Sequence, residues 1–163
     1  MKKVKEVMVP FPQSCGKHET LQTVAEQMSK SNIGSLPVID EHKRPIGIIT
    51  DRDICLTAAS QSKKSLSEWK VQEITGSQKV HTCSTEDDLQ TALKIMRTKK
   101  VGRLPVVDRD QKLKGVVSLN HIVRETQGSS EEAEVGYQGQ ENVIKTLYSL
   151  ANRKGMVFME NDF

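Results

Sequence analysis

The segment Gly47-Ile48-Ile49-Thr50-Asp51-Arg52-Asp53 gathers the residue types best able to meet a small charged ligand. If Thr50 ends a strand and Asp53 lies in the first turn of a following helix, a hydroxyl, a carboxylate and free helix N–H groups converge on one opening. Such an opening suits a nucleoside phosphate, because the helix N-terminus receives an anion while the carboxylate accepts protons from ribose hydroxyls. Thr50 and Asp53 serve equally well as a plain helix cap, and the two roles can coexist. Catalysis is not indicated. Gly-x-x-x-x-Gly-Lys-Ser/Thr, His-Glu-x-x-His and Cys-x-x-Cys are absent, and His18, His42, His81 and His121 show no close metal-ligand spacing. Thr50 with Asp53 also lacks the further base or metal that would activate a nucleophile, so neither a catalytic nor a metal site is expected.

The elements that would position these groups are written twice. Residues 15–54 and 83–122 superpose at an offset of 68 without a gap, and twelve of the 40 pairs are identical, among them Met28/Met96, Gly34/Gly102, Pro37/Pro105 and Gly47/Gly115. Leu21, Val24, Ala25 and Met28 recur at helical spacing, as do Leu89, Ala92, Leu93 and Met96, with Thr20 and Asp88 as N-caps. Those helices should end near Ser31 and Lys99. Strands follow at Leu36–Ile39 with Ile46–Thr50, and at Leu104–Val107 with Leu113–Ser118; the prolines demand strand starts or edges. Short helices are expected over 51–59 and 120–125.

A further echo, Val4-Lys5-Glu6-Val7 against Val71-Gln72-Glu73-Ile74, needs an offset of 67 and reads as a lead-in to each unit. The chain therefore divides into an α/β unit at 4–59, a link at 60–70, a second unit at 71–125, and a 126–163 extension. That extension holds an acidic, Gly- and Ser-rich connector and a final helix over about 141–153, which either packs on its own core or meets a partner.

Residues 1–123 carry 20 basic and 14 acidic groups, a net +6, and residues 124–163 carry four and seven, a net −3. With so few aromatics and no basic stripe among them, a base-stacking platform is poorly supported and nucleic acid is a disfavoured partner. No apolar run reaches membrane length, and the charged residues after Met1 do not read as a secretory signal, so a cytoplasmic protein with no membrane association is expected. Three cysteines fit a reducing compartment, and the equivalent Cys15 and Cys83 read as buried packing.

The order and spacing of Gly34-Ser35-Leu36-Pro37-Val38-Ile39-Asp40 and Gly47 to Asp53, repeated as Gly102-Arg103-Leu104-Pro105-Val106-Val107-Asp108 and Gly115 to His121, resemble a tandem pair of cystathionine-β-synthase-type (CBS) domains, a Bateman module. The resemblance covers residues 4–123. It implies two α/β repeats related by pseudo-twofold symmetry, each with a small sheet and packed helices. It further implies a non-enzymatic regulatory sensor that takes an adenosine-containing ligand, AMP, ADP or ATP, between the repeats.

Carried over by position, Thr50 would bond ribose or the first phosphate, Asp53 the ribose hydroxyls and Arg103 a phosphate. Adenine would lie between aliphatic side chains such as Ile33 or Ile49. The nucleotide would be a regulatory ligand, with no cofactor besides, and the module implies a homodimer acting on a protein target. In the second copy Thr50 becomes Ser118 and Asp53 becomes His121, which removes the ribose-clamping carboxylate and makes that site weaker or empty. A ligand-independent scaffold using the final helix is the alternative.

Overall fold

In the computed structural model, residues 2–60, 63–76, 79–127, 141–147 and 149–150 are described. The chain opens with a short helix α1 (Val4–Val7) and strand β1 (Val9–Pro10). The first repeat runs β2 (Cys15–Gly16), α2 (Leu21–Ser31), β3 (Ser35–Ile39), β4 (Pro45–Thr50) and α3 (Asp51–Ala59). After α4 (Val71–Thr75), the second repeats it as β5 (Cys83–Ser84), α5 (Leu89–Lys99), β6 (Arg103–Val107), β7 (Leu113–Ser118) and α6 (Leu119–Gln127). Residues 141–147 and 149–150 are helical, and the rest of the final helix expected from the sequence lies outside the described residues.

Local chemistry accounts for these boundaries. Thr20 Oγ1 accepts the Thr23 amide at 3.1 Å and Asp88 Oδ1 the Thr91 amide at 2.7 Å, so the α2 and α5 caps stand where the side-chain pattern puts them. Both helices end on a left-handed residue, Asn32 at φ 51° and Lys100 at φ 54°, which turns the chain directly into a strand. Pro37 and Pro105 differ from the expectation of a strand start or edge: each is the third residue of a central strand. They are tolerated because β2 and β5 are only two residues long and begin pairing one residue later, at Val38 and Val106.

The lead-in helices are exchanged. Val4 is fully buried in the second repeat's core with Met96, Leu104 and Val117, its amide donating to Asp87 O at 2.8 Å. Val71 is fully buried in the first repeat's core with Leu21, Leu36 and Ile49, its amide donating to Glu19 O at 3.0 Å. Asp87 and Glu19 are themselves equivalent positions, so the exchange obeys the pseudo-twofold. β1 extends the second sheet to β1-β7-β6-β5, against β2-β3-β4 in the first. Each repeat thus completes its core with the other's leading segment, which ties the two units together.

The exchange explains the glycine pair Gly47/Gly115. A Cβ on Gly47 would lie 3.2 Å from Thr75 Cβ, and one on Gly115 would lie 2.9 Å from Met8 Cγ and 3.0 Å from Val9 O. In both, the strand stays bare because the other unit's leading segment crosses it. Cys15 and Cys83 are buried, and burial pushes both thiols up to about 12, consistent with packing. No helix among the described residues is long and apolar enough to cross a membrane.

Candidate functional site

Thr50 closes β4 and caps α3. Its Oγ1 accepts the Asp53 amide at 3.2 Å and donates to Asp53 Oδ2 at 2.6 Å, while the Thr50 amide donates to the same Oδ2 at 2.9 Å. This is a reciprocal cap in which each side chain satisfies the other's backbone. Asp53 Oδ1 takes no hydrogen bond from the described residues, so the cap leaves one carboxylate oxygen for a ligand. Both residues are half-buried.

The second repeat builds the same cap from different atoms. The Ser118 amide donates to His121 Nδ1 at 3.2 Å, and the His121 amide donates to Ser118 Oγ at 3.3 Å. Nδ1 can accept only when it carries no proton, so the neutral imidazole holds its proton on Nε2. Burial first, then the charges of Arg124 and Arg103, lower the His121 pKa against an opposing hydrogen bond at the Val116 backbone. The imidazole replaces the carboxylate as a capping acceptor and leaves no second acceptor for a diol.

Arg103, the first residue of β6, donates from Nη1 to Ser35 Oγ, its own counterpart in the first repeat. Ser35 pairs with Thr50 in the β3–β4 ladder, and Arg103 pairs with Ser118 in β6–β7. The guanidinium therefore crosses the pseudo-twofold to stand beside the strand end that carries the Thr50–Asp53 cap.

The structure brings Thr50, Asp53, Ser35 and Arg103 to one place, with Ser118 and His121 at the mirrored end. It places the two isoleucines elsewhere. Ile49 is fully buried in the first repeat's core, and Ile33, 37% exposed, lines a groove between α2 and α3. Strand alternation gives the reason: Ile49 and its partner Leu36 face the helices, while Ile48 and Pro37 share the face of Thr50 and Ser35. Ile48 is the apolar neighbour that sequence reading missed, although a period-2 count from Thr50 identifies it. Among the described residues no cluster of three metal-ligating side chains occurs.

The family model for the CBS domain matches residues 4–59 and 71–128, and the chain belongs to that family. MK0525, an uncharacterised protein of Methanopyrus kandleri, is 37% identical over 106 residues, covering 65% of this chain and 53% of that protein. Inosine-5′-monophosphate dehydrogenase of Aquifex aeolicus is 29% identical over 76% of this chain, which is 24% of the enzyme. The chain thus spans about half of the first relative and a quarter of the second. The crystallised CBS domain pair of protein MJ0100, in complex with 5′-methylthioadenosine and S-adenosyl-L-methionine, has a TM-score of 0.69 at 28% identity. That likeness covers 80% of this chain and 99% of that one.

Proposed function

We propose that this chain is a non-enzymatic, cytoplasmic regulatory sensor that binds one adenosine-containing nucleotide between its CBS repeats and works as a homodimer on a protein target. The observation that carries the reading is the Arg103 guanidinium of one repeat held at Ser35, next to the Thr50–Asp53 cap of the other. A ribose diol would use the free Asp53 oxygen, and phosphates would draw Arg103 away from Ser35, because a charge-assisted bond to an anion outweighs one to a hydroxyl. Contacts from both repeats would make occupancy change how the units sit against each other, and a ligand shifts that equilibrium only by its preference for one arrangement. The ligand state of the MJ0100 pair supports an adenosine compound without selecting AMP, ADP or ATP.

The competing reading, a ligand-independent scaffold, draws on Ile144 and Leu147, which remain exposed on the terminal helical segment. The compound that co-purifies with the protein separates the two. Heat-released supernatant is expected to show purine absorbance and the mass of an adenosine derivative. Protein that carries no nucleotide and takes none up on incubation would favour the scaffold.

A further inference from the structure

The turn that leads into Arg103 is clamped, and its counterpart ahead of Ser35 is bare. Helix α5 ends on the left-handed Lys100, whose amide donates to Arg97 O at 3.4 Å, and Gly102 O accepts the Leu119 amide at 3.0 Å. The terminal helical segment, residues 141–147 and 149–150, closes over this turn. Ser149 Oγ donates to the same Arg97 O at 3.1 Å, and Leu150 Cδ1 lies 3.9 Å from where a Gly102 Cβ would sit. In the first repeat the equivalent Ser29, Asn32, Ile33 and Gly34 line an open groove. Asp51 accounts for the choice. Its Oδ2 stands 2.9 Å from where a Gly34 Cβ would sit, whereas its counterpart Leu119 is buried in the same apolar cluster that Leu150 packs against. A leucine set down on the first repeat would desolvate that carboxylate.

The seat is shallow. Among the segment's described residues Val143 and Thr146 are buried and Leu150 is half-buried, while Ile144 is 64% exposed and Leu147 50% exposed. Thr146 Oγ1 donates to Asn142 O of its own helix, so it ties the segment to nothing else. Asn142 Nδ2 reaches α5 by donating to Gln90 Oε1 at 2.7 Å. An element held by so few buried groups opens far more readily than the core beneath it.

Clamp and cleft meet at consecutive residues. Gly102 lies under Leu150, and Arg103 carries its guanidinium to Ser35 beside the Thr50–Asp53 cap. The seated segment and the Arg103–Ser35 bond therefore belong to one arrangement of the turn between Arg97 and Arg103. A ligand anion that takes the guanidinium from Ser35 works against that arrangement, and by reciprocity a freed turn yields Arg103 to the anion more easily. We infer that residues 141–150 are the sensor's output element: anion binding at Arg103 loosens their seat on α5 and α6, converting occupancy of the cleft into exposure of an apolar helical surface. This rests on the sensor reading above and adds to it the part that moves. The two states are a seated segment with Arg103 on Ser35 and a released segment with Arg103 on the ligand.

Hydrogen exchange read by mass spectrometry on the full chain tests this. The probes, each saturating, are AMP, ADP, ATP and S-adenosylmethionine, all bearing a phosphate or a carboxylate, with adenosine as the control that bears neither. A bound anionic probe is expected to speed exchange in the 141–150 peptide about fivefold or more while slowing it in α2. Adenosine is expected to leave 141–150 unchanged. Leu150→Ala and the milder Ser149→Ala unseat the segment in advance; in calorimetry Leu150→Ala is expected to tighten the same probe about twofold or more, and Ser149→Ala to tighten it less. Unchanged or slower exchange at 141–150 under a probe that calorimetry shows to bind, or an affinity unmoved by both variants, overturns the output role and leaves the sensor standing. Equal acceleration by adenosine overturns the coupling through Arg103. Absence of binding by all four probes overturns sensor and output together.

Discussion

At the scale of single residues, the two repeats differ because the same cap is made by a carboxylate in one and an imidazole in the other. Asp53→Asn keeps the size of the side chain and an acceptor for the Thr50 amide, so it tests binding apart from capping. It is expected to weaken an adenosine ligand at least tenfold while costing under about 1 kcal/mol of stability, the typical range of a cap. Equilibrium binding and urea denaturation on the same preparation measure the two effects.

His121 carries a pH signature. Its folded-state pKa lies below the ordinary 6.5, so the unfolded chain binds the proton more readily. Its contribution to stability is therefore complete above about 6.5 and is lost as pH falls through the folded value. Urea midpoints at pH 7.5 and 5.5 are expected to drop more for the wild type than for His121→Gln. His81 is lowered in the same direction, by burial first, and remains in both proteins, so the comparison isolates His121. An equal drop would mean that the imidazole is not held neutral.

At the scale of elements, the exchanged lead-ins make each sheet depend on residues from the far side of the molecule. Gly115→Ala is expected to destabilise by about 1–3 kcal/mol through crowding of Met8 and the Val9 carbonyl. Gly47→Ala, facing only the Thr75 side chain at 3.2 Å, should cost less. The Gly115→Ala penalty should shrink in the presence of Met8→Ala, a coupling that a double-mutant cycle in urea reads directly. Additive effects would show that Met8 does not crowd Gly115.

The helices and strands themselves were legible. Apolar spacing and the Thr20 and Asp88 caps placed α2 and α5 to the residue, because local chemistry alone sets those ends. The exchange was not legible: Val4 and Val71 suit either of two similar cores, and only tertiary packing chooses between them. The shift from an offset of 68 to 67 marked a discontinuity without saying what crossed it. At the candidate site, spacing pointed to Thr50 and Asp53 and the family resemblance to Arg103, and the structure sets these three near one another; Ile49 instead faces the core because strand alternation, not apolarity, decides which side a residue faces.

At the scale of the whole molecule, two near-copies carry the same helix cap, one with a carboxylate and one with an imidazole, and a terminal helical segment covers one helical face but not its twin. Both asymmetries sit on a scaffold that Gly47/Gly115 and Pro37/Pro105 hold in common. Binding as proposed at the Thr50–Asp53 end would engage both repeats at once through Arg103, so ligand should protect the global fold. At a concentration of about 100 times the wild-type dissociation constant, the stabilisation is about 2.7 kcal/mol, visible as a raised urea midpoint in the wild type and cut to about 1.4 kcal/mol or less in Asp53→Asn.

The central claim, a single competent adenosine site per chain at Thr50 and Asp53, is tested most directly by isothermal calorimetry on nucleotide-stripped protein. AMP, ADP, ATP and S-adenosylmethionine are titrated into the wild type, Asp53→Asn and His121→Ala. The expected result is one site per chain for at least one ligand, weakened at least tenfold by Asp53→Asn and by less than about twofold by His121→Ala. No heat from any of the four ligands, two equal sites per chain, or equal losses in the two variants would contradict it.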